Sequence, residues 1–320
     1  MFDAVLGFLS RYLNVFLVAT TLSAGALLTL KLVGRLSYRT RTKTLLLPLA
    51  GSFLFAAWIS PSCYAHWLSI STWDPIHLVC SDPSYSYIRA VCTGWVALTA
   101  FSFSAAGLHG VVSYYLGDRI VRRLYDVEPL DWEQAESLYG MLDALSERAG
   151  IETPDIGLIQ SSRPQIMSFG RGHESSIYVS VGFLETMAED EVEASFAHEV
   201  AHISNGDTLV RSLANSLKIA SMFNVIGFLI EPALCRDREF LADEEGARLS
   251  GDPRALMSAL IKLSEAPSMR SGGLFMGGMS LSLFPARNGW GVFSRHPPVA
   301  ERLRRLAELD AIDPGITSSA

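Results

Sequence analysis

Three long stretches without a charged residue constrain this chain more than any other feature of its sequence. Residues 12–30, 44–73 and 90–117 contain no Asp, Glu, Lys or Arg. Each is long enough for a helix to cross the hydrocarbon core of a bilayer, which takes about 20 residues. Buried helices of a soluble core are the alternative, but three such stretches with short connections favour a membrane domain over residues 1–117. We predict transmembrane helices at about residues 12–30, 44–62 and 91–116.

The basic residues between these stretches predict the orientation of the membrane domain. Five Lys or Arg residues follow the first stretch, whereas the second connection contains only Arg89 beside two aspartates. Because cytoplasmic loops are enriched in Lys and Arg, we predict a multi-pass protein of a prokaryotic cell membrane with its N-terminus outside. Cys63 and Cys80 then lie outside, where a disulfide can persist. Residues 118–320 face the cytoplasm, and the net charge of −7 argues against a nucleic-acid partner.

A pentapeptide in the cytoplasmic part, His198-Glu199-Val200-Ala201-His202, predicts a metal site. Residues four apart on a helix share a face, so both imidazoles can bind one metal ion. This HExxH pattern is typical of zinc hydrolases, in which the histidines are ligands and the glutamate is the general base. Apolar residues flank the motif, so we expect a mostly buried helix whose imidazoles need polar partners.

A catalytic zinc site also needs a third protein ligand and an open position for water. Glu239 and Asp243 are four residues apart in the stretch CRDREFLADEEGARL and would share a helix face. One carboxylate can bind the metal while the other accepts the N–H of a ligating histidine. Spacing alone leaves this open, since carboxylate pairs of this kind are also typical of a solvated helix face.

The remaining cytoplasmic residues predict an α+β fold, a mainly helical metalloprotease-like domain with a small β-sheet. Apolar residues recur at helical spacing over residues 131–150, and β-rich runs at 155–160 and 175–182 predict two strands. A strand beside a zinc cleft commonly binds an extended peptide by strand addition. We therefore predict that the second strand binds substrate, with Ile177 and Val179 among the contacts.

The order of the motifs resembles that of a known family. HEVAH, then SNGDT, EFLAD and HPPVAERLRRL are similar to the membrane-bound zinc peptidases that include HtpX and the CAAX prenyl proteases, over roughly residues 131–309. This resemblance implies a zincin-like domain with one Zn²⁺ per chain. It implies the metal ligands His198, His202 and Glu239, with Asp243 supporting a ligating histidine.

The same resemblance implies roles for two further positions. His296, with Arg302 as the arginine of its motif, becomes a candidate for stabilising the tetrahedral intermediate. A histidine in a turn before two prolines is the alternative for His296. In the family, an Asn-Ala-Phe segment precedes the edge strand, whereas this chain has PQIMSFGR. Gln165 falls at the Asn position and offers a similar amide with a longer reach, so we name it as a substrate-binding candidate.

The apolar segment 213–230 lies between the second histidine and the third ligand. A single crossing there would place Glu239 on the opposite side of the membrane from both histidines. Two crossings need about 40 residues, and fewer separate His202 from Glu239. We therefore predict that this segment does not span the membrane. The Gly/Met-rich residues 271–284 are either a mobile apolar loop near the membrane surface or a linker.

Together these features predict a membrane-anchored zinc endopeptidase that hydrolyses peptide bonds of membrane or misfolded proteins. Its partners would be polypeptide substrates and the lipid bilayer, and zinc and Glu199 would activate the water. Two alternatives stay open: a site-specific protease in a membrane signalling pathway, and a non-catalytic membrane scaffold that retains the fold. Prenyl-protein processing is disfavoured, since three spans are too few to enclose a large intramembrane chamber.

Overall fold

The structure is a computed structural model, and it describes residues 104–113, 115–171, 174–220, 225–265 and 294–312. The first two predicted membrane helices, Cys63, Cys80 and residues 271–284 lie outside these ranges. Of the third predicted span, residues 104–113 are helical. Among the helices in the described ranges, none is both long enough and apolar enough to cross a membrane.

The chain divides into two compact units, Met1–Gly110 with Ala214–Glu231, and Val111–Leu213 with Pro232–Ala320. In the first unit, the ring of His109 is hydrogen-bonded at both nitrogens. Nδ1 lies 2.9 Å from Oγ of Ser216, and Nε2 accepts a 2.8 Å bond from the side-chain amide of Asn215. Asn215 and Ser216 belong to the apolar segment 213–230, whose predicted non-spanning character stays a prediction.

The second unit contains a four-stranded mixed sheet in the order β1-β2-β4-β3. β1 pairs antiparallel with β2, β2 pairs parallel with β4, and β3 pairs antiparallel with β4. The strands are β1 Val127–Leu130, β2 Asp155–Ile159, β3 Ile166–Arg171 and β4 Glu174–Ser180.

The sheet order corrects one prediction from the sequence. β2 and β4 confirm the two predicted strands, but β4 has a strand hydrogen-bonded along each side. A peptide therefore has no free edge of β4 to which it can add, and the prediction that this strand takes up substrate is wrong. Among the strands of the described ranges, β3 is the last one on that side of the sheet.

Besides the helical residues 104–113, the described ranges contain eight helices and a 3₁₀ turn at Trp132–Gln134. The predicted helix over 131–150 is confirmed from Glu136, and Gly150 closes it with a φ of 69°, a left-handed conformation that favours glycine. The helices are α1 Gly117–Leu124, α2 Glu136–Ala149, α3 Val181–Thr186, α4 Glu189–Ser204, α5 Asp207–Ala220, α6 Val225–Ser250, α7 Pro253–Glu265 and α8 Val299–Ile312.

Helix α4 lies at the centre of the hydrophobic core of the second unit and contacts α2, α7 and β3. Phe196, Ala197 and Val200 of α4 pack with Ile166 and Ile177 of the sheet. A buried apolar face of this kind stabilises a helix far more than its intrinsic propensity does. The result is a mainly helical domain with a small mixed sheet, and the HEVAH motif lies in a largely buried helix.

Candidate metal centre

The two motif histidines meet on one buried face of α4. His198 is fully buried and His202 is 3% exposed. Their Nε2 atoms lie 3.1 Å apart, and the ring planes are nearly perpendicular. The helical spacing of four residues therefore brings both rings to one point, as the sequence predicts.

Helix α6 brings Glu239 to the same point. Its Oε1 lies 3.7 Å from Nε2 of His202, and one ligand atom from each of His198, His202 and Glu239 lies within 4.8 Å of the other two. Gly246 permits this close approach of α6 to α4, because a Cβ there would lie 2.8 Å from Cα of His198. A larger residue at this position would push the helices apart.

Asp207 orients the ring of His202. The chain turns after α4 at Gly206, which has a φ of +63°, and Asp207 begins α5 directly afterwards. Its Oδ2 lies 2.6 Å from Nδ1 of His202. Burial alone would lower the pKa of His202, but this hydrogen bond and the charges of Asp207, Glu239 and Glu199 raise it.

Asp243 contacts the ring of His198 as Asp207 contacts the ring of His202. Its Oδ1 lies 3.1 Å from Nδ1 of His198. Arg302 of α8 donates to both oxygens of Asp243, at 2.7 and 2.5 Å. Burial acts to raise the pKa of Asp243, but the charge and hydrogen bonds of Arg302 and the contact with His198 lower it. Asp243 therefore stays ionised and can hold the ring.

These contacts fit a divalent metal ion. A carboxylate at Nδ1 of each histidine places the ring proton there and leaves a lone pair on Nε2. When both rings are neutral, the two Nε2 lone pairs face each other at 3.1 Å without a proton between them, and a cation bound to both relieves their repulsion. Two imidazoles and one carboxylate are a ligand set of catalytic zinc sites.

Glu199 lies on the same face of α4 and is fully buried. Its Oε2 accepts a 2.5 Å hydrogen bond from Oγ of Ser168 on β3. Among the described residues, its Oε1 has no hydrogen-bond partner. Burial raises the pKa of this carboxyl above its ordinary value, against the opposing effects of His202, His198 and Ser168. A raised pKa suits a group that accepts and returns a proton near neutral pH.

Two further buried arginines balance the acids of the site. Nη2 of Arg211 donates to Oε1 of Glu239 at 3.0 Å, and Arg238 forms an ion pair with Asp207. Burial would raise the pKa of Glu239, but His296, Arg211 and His202 lower it well below its usual range. Glu239 is therefore anionic, the charge state in which a carboxylate can bind a metal ion.

His296 lies beside this carboxylate. Its Nδ1 is 3.6 Å from Oε2 of Glu239, and Arg302 approaches the same oxygen with Nη1 at 3.5 Å. Burial lowers the pKa of His296, and Glu239 only partly offsets this. The structure thus brings His296 to the metal centre, and its role in catalysis stays a prediction.

The three predicted substrate-binding residues, Gln165, Ile177 and Val179, are all buried. Ile177 and Val179 are fully buried in β4 and belong to the hydrophobic core, so their predicted contact with a peptide is wrong. Gln165 is 4% exposed. Its backbone N–H donates to Oγ of Ser180, which anchors the chain directly before β3.

Several residues of the site are not predicted from the sequence. Asp207 lies in the SNGDT segment, five residues after His202. This short separation is the one local sign that its carboxylate could contact the ring of His202. Ser168, Arg211 and Arg238 have no local signal, because only the packing of β3, α5 and α6 brings them to the motif.

Comparison with known proteins agrees with this geometry. The model of Peptidase family M48 matches residues 133–310. A "Protease HtpX homolog" of Pyrococcus abyssi (strain GE5 / Orsay) is 32% identical over 253 residues, covering 67% of this chain and 87% of that protein. A protein of the same name from Thermococcus kodakarensis is 34% identical over 255 residues, with the same coverage.

Two further similarities are more distant in organism or in structure. "Protease HtpX" of Legionella pneumophila (strain Corby) is 32% identical over 241 residues, covering 63% of this chain and 85% of that protein. Among solved structures, the crystal structure of S. mikatae Ste24p is 16% identical with a TM-score of 0.43, covering 79% of this chain and 66% of that one.

Proposed function

Since the chain belongs to Peptidase family M48 and is a metallopeptidase that hydrolyses peptide bonds, we propose that it is a membrane-anchored zinc endopeptidase. His198, His202 and Glu239 would hold one Zn²⁺. The observation that carries this proposal is the meeting of the two Nε2 atoms at 3.1 Å with a carboxylate of α6 beside them. Two carboxylates at the Nδ1 atoms support it further.

The side chains around the centre have distinct roles in the proposed reaction. Zn²⁺, when bound, polarises the scissile carbonyl and acidifies water. Oε1 of Glu199, which has no hydrogen-bond partner in the described part of the chain, accepts the proton of the attacking water and donates it to the leaving nitrogen. His296 donates a hydrogen bond to the developing oxyanion, and Asp207 and Asp243 hold the two ligand rings.

We place the substrate along β3. This strand ends the sheet, and its Ser168 contacts Glu199. A peptide that adds to β3 by backbone hydrogen bonds would lie beside the general base.

The proposed substrates are membrane or misfolded proteins at the cytoplasmic surface of a cell membrane. Support comes from the uncharged stretches of residues 1–117 and from the positive charge between the first two of them. The names of the relatives, "Protease HtpX" and its homologues, are consistent with this class of enzyme.

The test is Glu199→Gln in the full-length protein. Because glutamine cannot accept the proton, cleavage of an unfolded substrate such as casein should fall by about 10²–10⁴-fold. The zinc content should stay near one per chain, since the three ligands are unchanged. Glu193→Gln, on the exposed side of the same helix, is the matched control and should cleave normally. Cleavage by Glu199→Gln at the wild-type rate would refute the proposed mechanism.

A further inference from the structure

We infer that Ser168 is a positioning residue for the general base Glu199. This inference rests on the proposed function, since it assigns the hydroxyl of Ser168 a role in the same reaction. Oγ of Ser168 donates to Oε2 of Glu199 at 2.5 Å. Both residues are buried, Ser168 at 1% exposure and Glu199 at 0%.

The position of Ser168 in the sheet explains why its hydroxyl meets Glu199. Side chains alternate between the two faces of a strand, so Ile166 and Ser168 of β3 lie on the face towards α4, while Met167 lies on the other. Ile166 packs in the core with Ile177, the register partner of Ser168. In this apolar setting an unpartnered hydroxyl would be costly, and Glu199 supplies its partner.

The two carboxylate oxygens of Glu199 have different surroundings. Oε2 is held by Ser168, and Oε1 is left without a hydrogen-bond partner among the described residues. The terminal torsion of a glutamate side chain has a broad preference, so without a donor the carboxylate plane would be poorly fixed. Ser168 fixes the plane and thereby directs Oε1 to the place where the proton is accepted.

This geometry predicts an effect on turnover and not on substrate binding. Losing the donor lets the carboxylate rotate away from its productive orientation, and a misplaced catalytic group lowers the rate of the chemical step. In Ser168→Ala, kcat should fall about tenfold while KM is unchanged. Ser168→Thr retains the hydroxyl and should recover most of kcat. The zinc content should equal that of wild type in both variants.

Ser195→Ala is the matched control. Ser195 is a fully buried serine on α4, but its hydroxyl donates to the backbone carbonyl of Glu191, at 2.7 Å. This variant also removes one buried serine hydroxyl, but one that is bonded to the backbone of α4 and not to Glu199. Its kcat and KM should equal those of wild type.

A measurement without catalysis tests the contact itself. In the zinc-free full-length protein, Ser168→Ala should lower the midpoint of thermal unfolding by about 2–4 °C, because it leaves a buried carboxylate oxygen without its donor. The same substitution in a Glu199→Ala background should not lower the midpoint, since the hydroxyl of Ser168 has already lost its partner there. For Ser195→Ala, the shift should be the same in both backgrounds.

The outcomes separate this inference from the proposed function. An inactive wild-type protein, or an active Glu199→Gln variant, overturns the proposed function and the inference with it. With wild type active and Glu199→Gln inactive, a wild-type kcat for Ser168→Ala overturns the inference alone. A rise in KM at constant kcat also overturns it, because Ser168 would then contact substrate. Equal thermal shifts of Ser168→Ala in both backgrounds would show that the hydroxyl does not act through Glu199.

Discussion

The two faces of the sheet bury polar groups in opposite ways. On the α4 face, Oε1 of Glu199 is buried without a hydrogen-bond partner among the described residues, and Oε2 of Glu239 has only long contacts to His296 and Arg302. On the α1 face, the hydroxyl of Tyr178 donates to Asp118 and accepts a 2.9 Å bond from Nε of Arg122. Within the described part of the chain, the α4 face thus holds carboxylate oxygens with incomplete hydrogen bonding, whereas the hydroxyl of Tyr178 on the α1 face is hydrogen-bonded as donor and acceptor.

This difference distinguishes a site of chemistry from a structural contact. A buried polar atom without a partner costs about 1–3 kcal/mol, and such atoms concentrate where a ligand or a reacting group completes the set. The network of Tyr178, Asp118 and Arg122 is complete without a ligand, so we expect it to stabilise the fold and to leave catalysis untouched. Substitutions on the two faces should therefore separate metal binding from stability.

The largest effect should come from Asp207→Asn. The neutral amide no longer stabilises Nδ1–H of His202 as an anion does, and loss of such a partner typically weakens metal binding by about 10–100-fold. Zinc affinity measured by competition with a chromophoric chelator checks this. Asp190→Asn, in the first turn of α4, is the control and should bind zinc as wild type does. An unchanged zinc affinity in Asp207→Asn would show that Asp207 does not support metal binding.

A smaller and different effect is expected from Tyr178→Phe on the opposite face. This variant keeps the buried ring, which is 1% exposed, and removes only the hydroxyl. Stability should fall by about 1 kcal/mol, seen as a drop of about 2–4 °C in the thermal midpoint of the full-length protein. Zinc affinity and kcat should stay at wild-type values. A loss of zinc would mean that the two faces are not functionally distinct.

The smallest effect concerns Glu191, a fully partnered acid at the start of α4. Burial acts to raise its pKa, but hydrogen bonds from Lys262, Ser258 and the backbone of Ala188 lower it below the ordinary value. A lowered folded-state pKa gives stability that is present above the pKa of the unfolded carboxyl and is lost as pH falls through the folded one. The stability advantage of wild type over Glu191→Gln should therefore shrink from about pH 5 towards pH 3. An advantage independent of pH would contradict this.

The local part of the site could be predicted from sequence, and the long-range part could not. His198, Glu199 and His202 lie within five residues, so helical geometry alone places them together. Glu239 and Asp243 share a helix face by spacing, but their assignment to the metal needed the family resemblance. Asp207 and Ser168 depend on a turn and on strand packing, which no local pattern encodes.

The sheet, too, could be predicted only in part from the sequence. The sequence predicts β4 as a strand, but it does not reveal that β4 is buried on both faces and lies inside the sheet. β1 is only four residues long and contains Pro129, which is tolerated because β1 lies at an edge. β3 was not predicted as a strand, because its IMSFGR sequence includes Ser and Gly. Strand order follows from tertiary packing, so the wrong strand was predicted as the substrate edge.

Zinc X-ray absorption spectroscopy of the purified full-length protein tests the central claim most directly. We predict a first shell of nitrogen and oxygen only, at about 2.0–2.2 Å, with the multiple-scattering pattern of two imidazoles. In Glu239→Gln the shell should lose its carboxylate oxygen, and the two imidazoles should remain. A sulfur shell at about 2.3 Å would contradict the account, since it would implicate a cysteine such as Cys235, a buried residue that contacts Arg211.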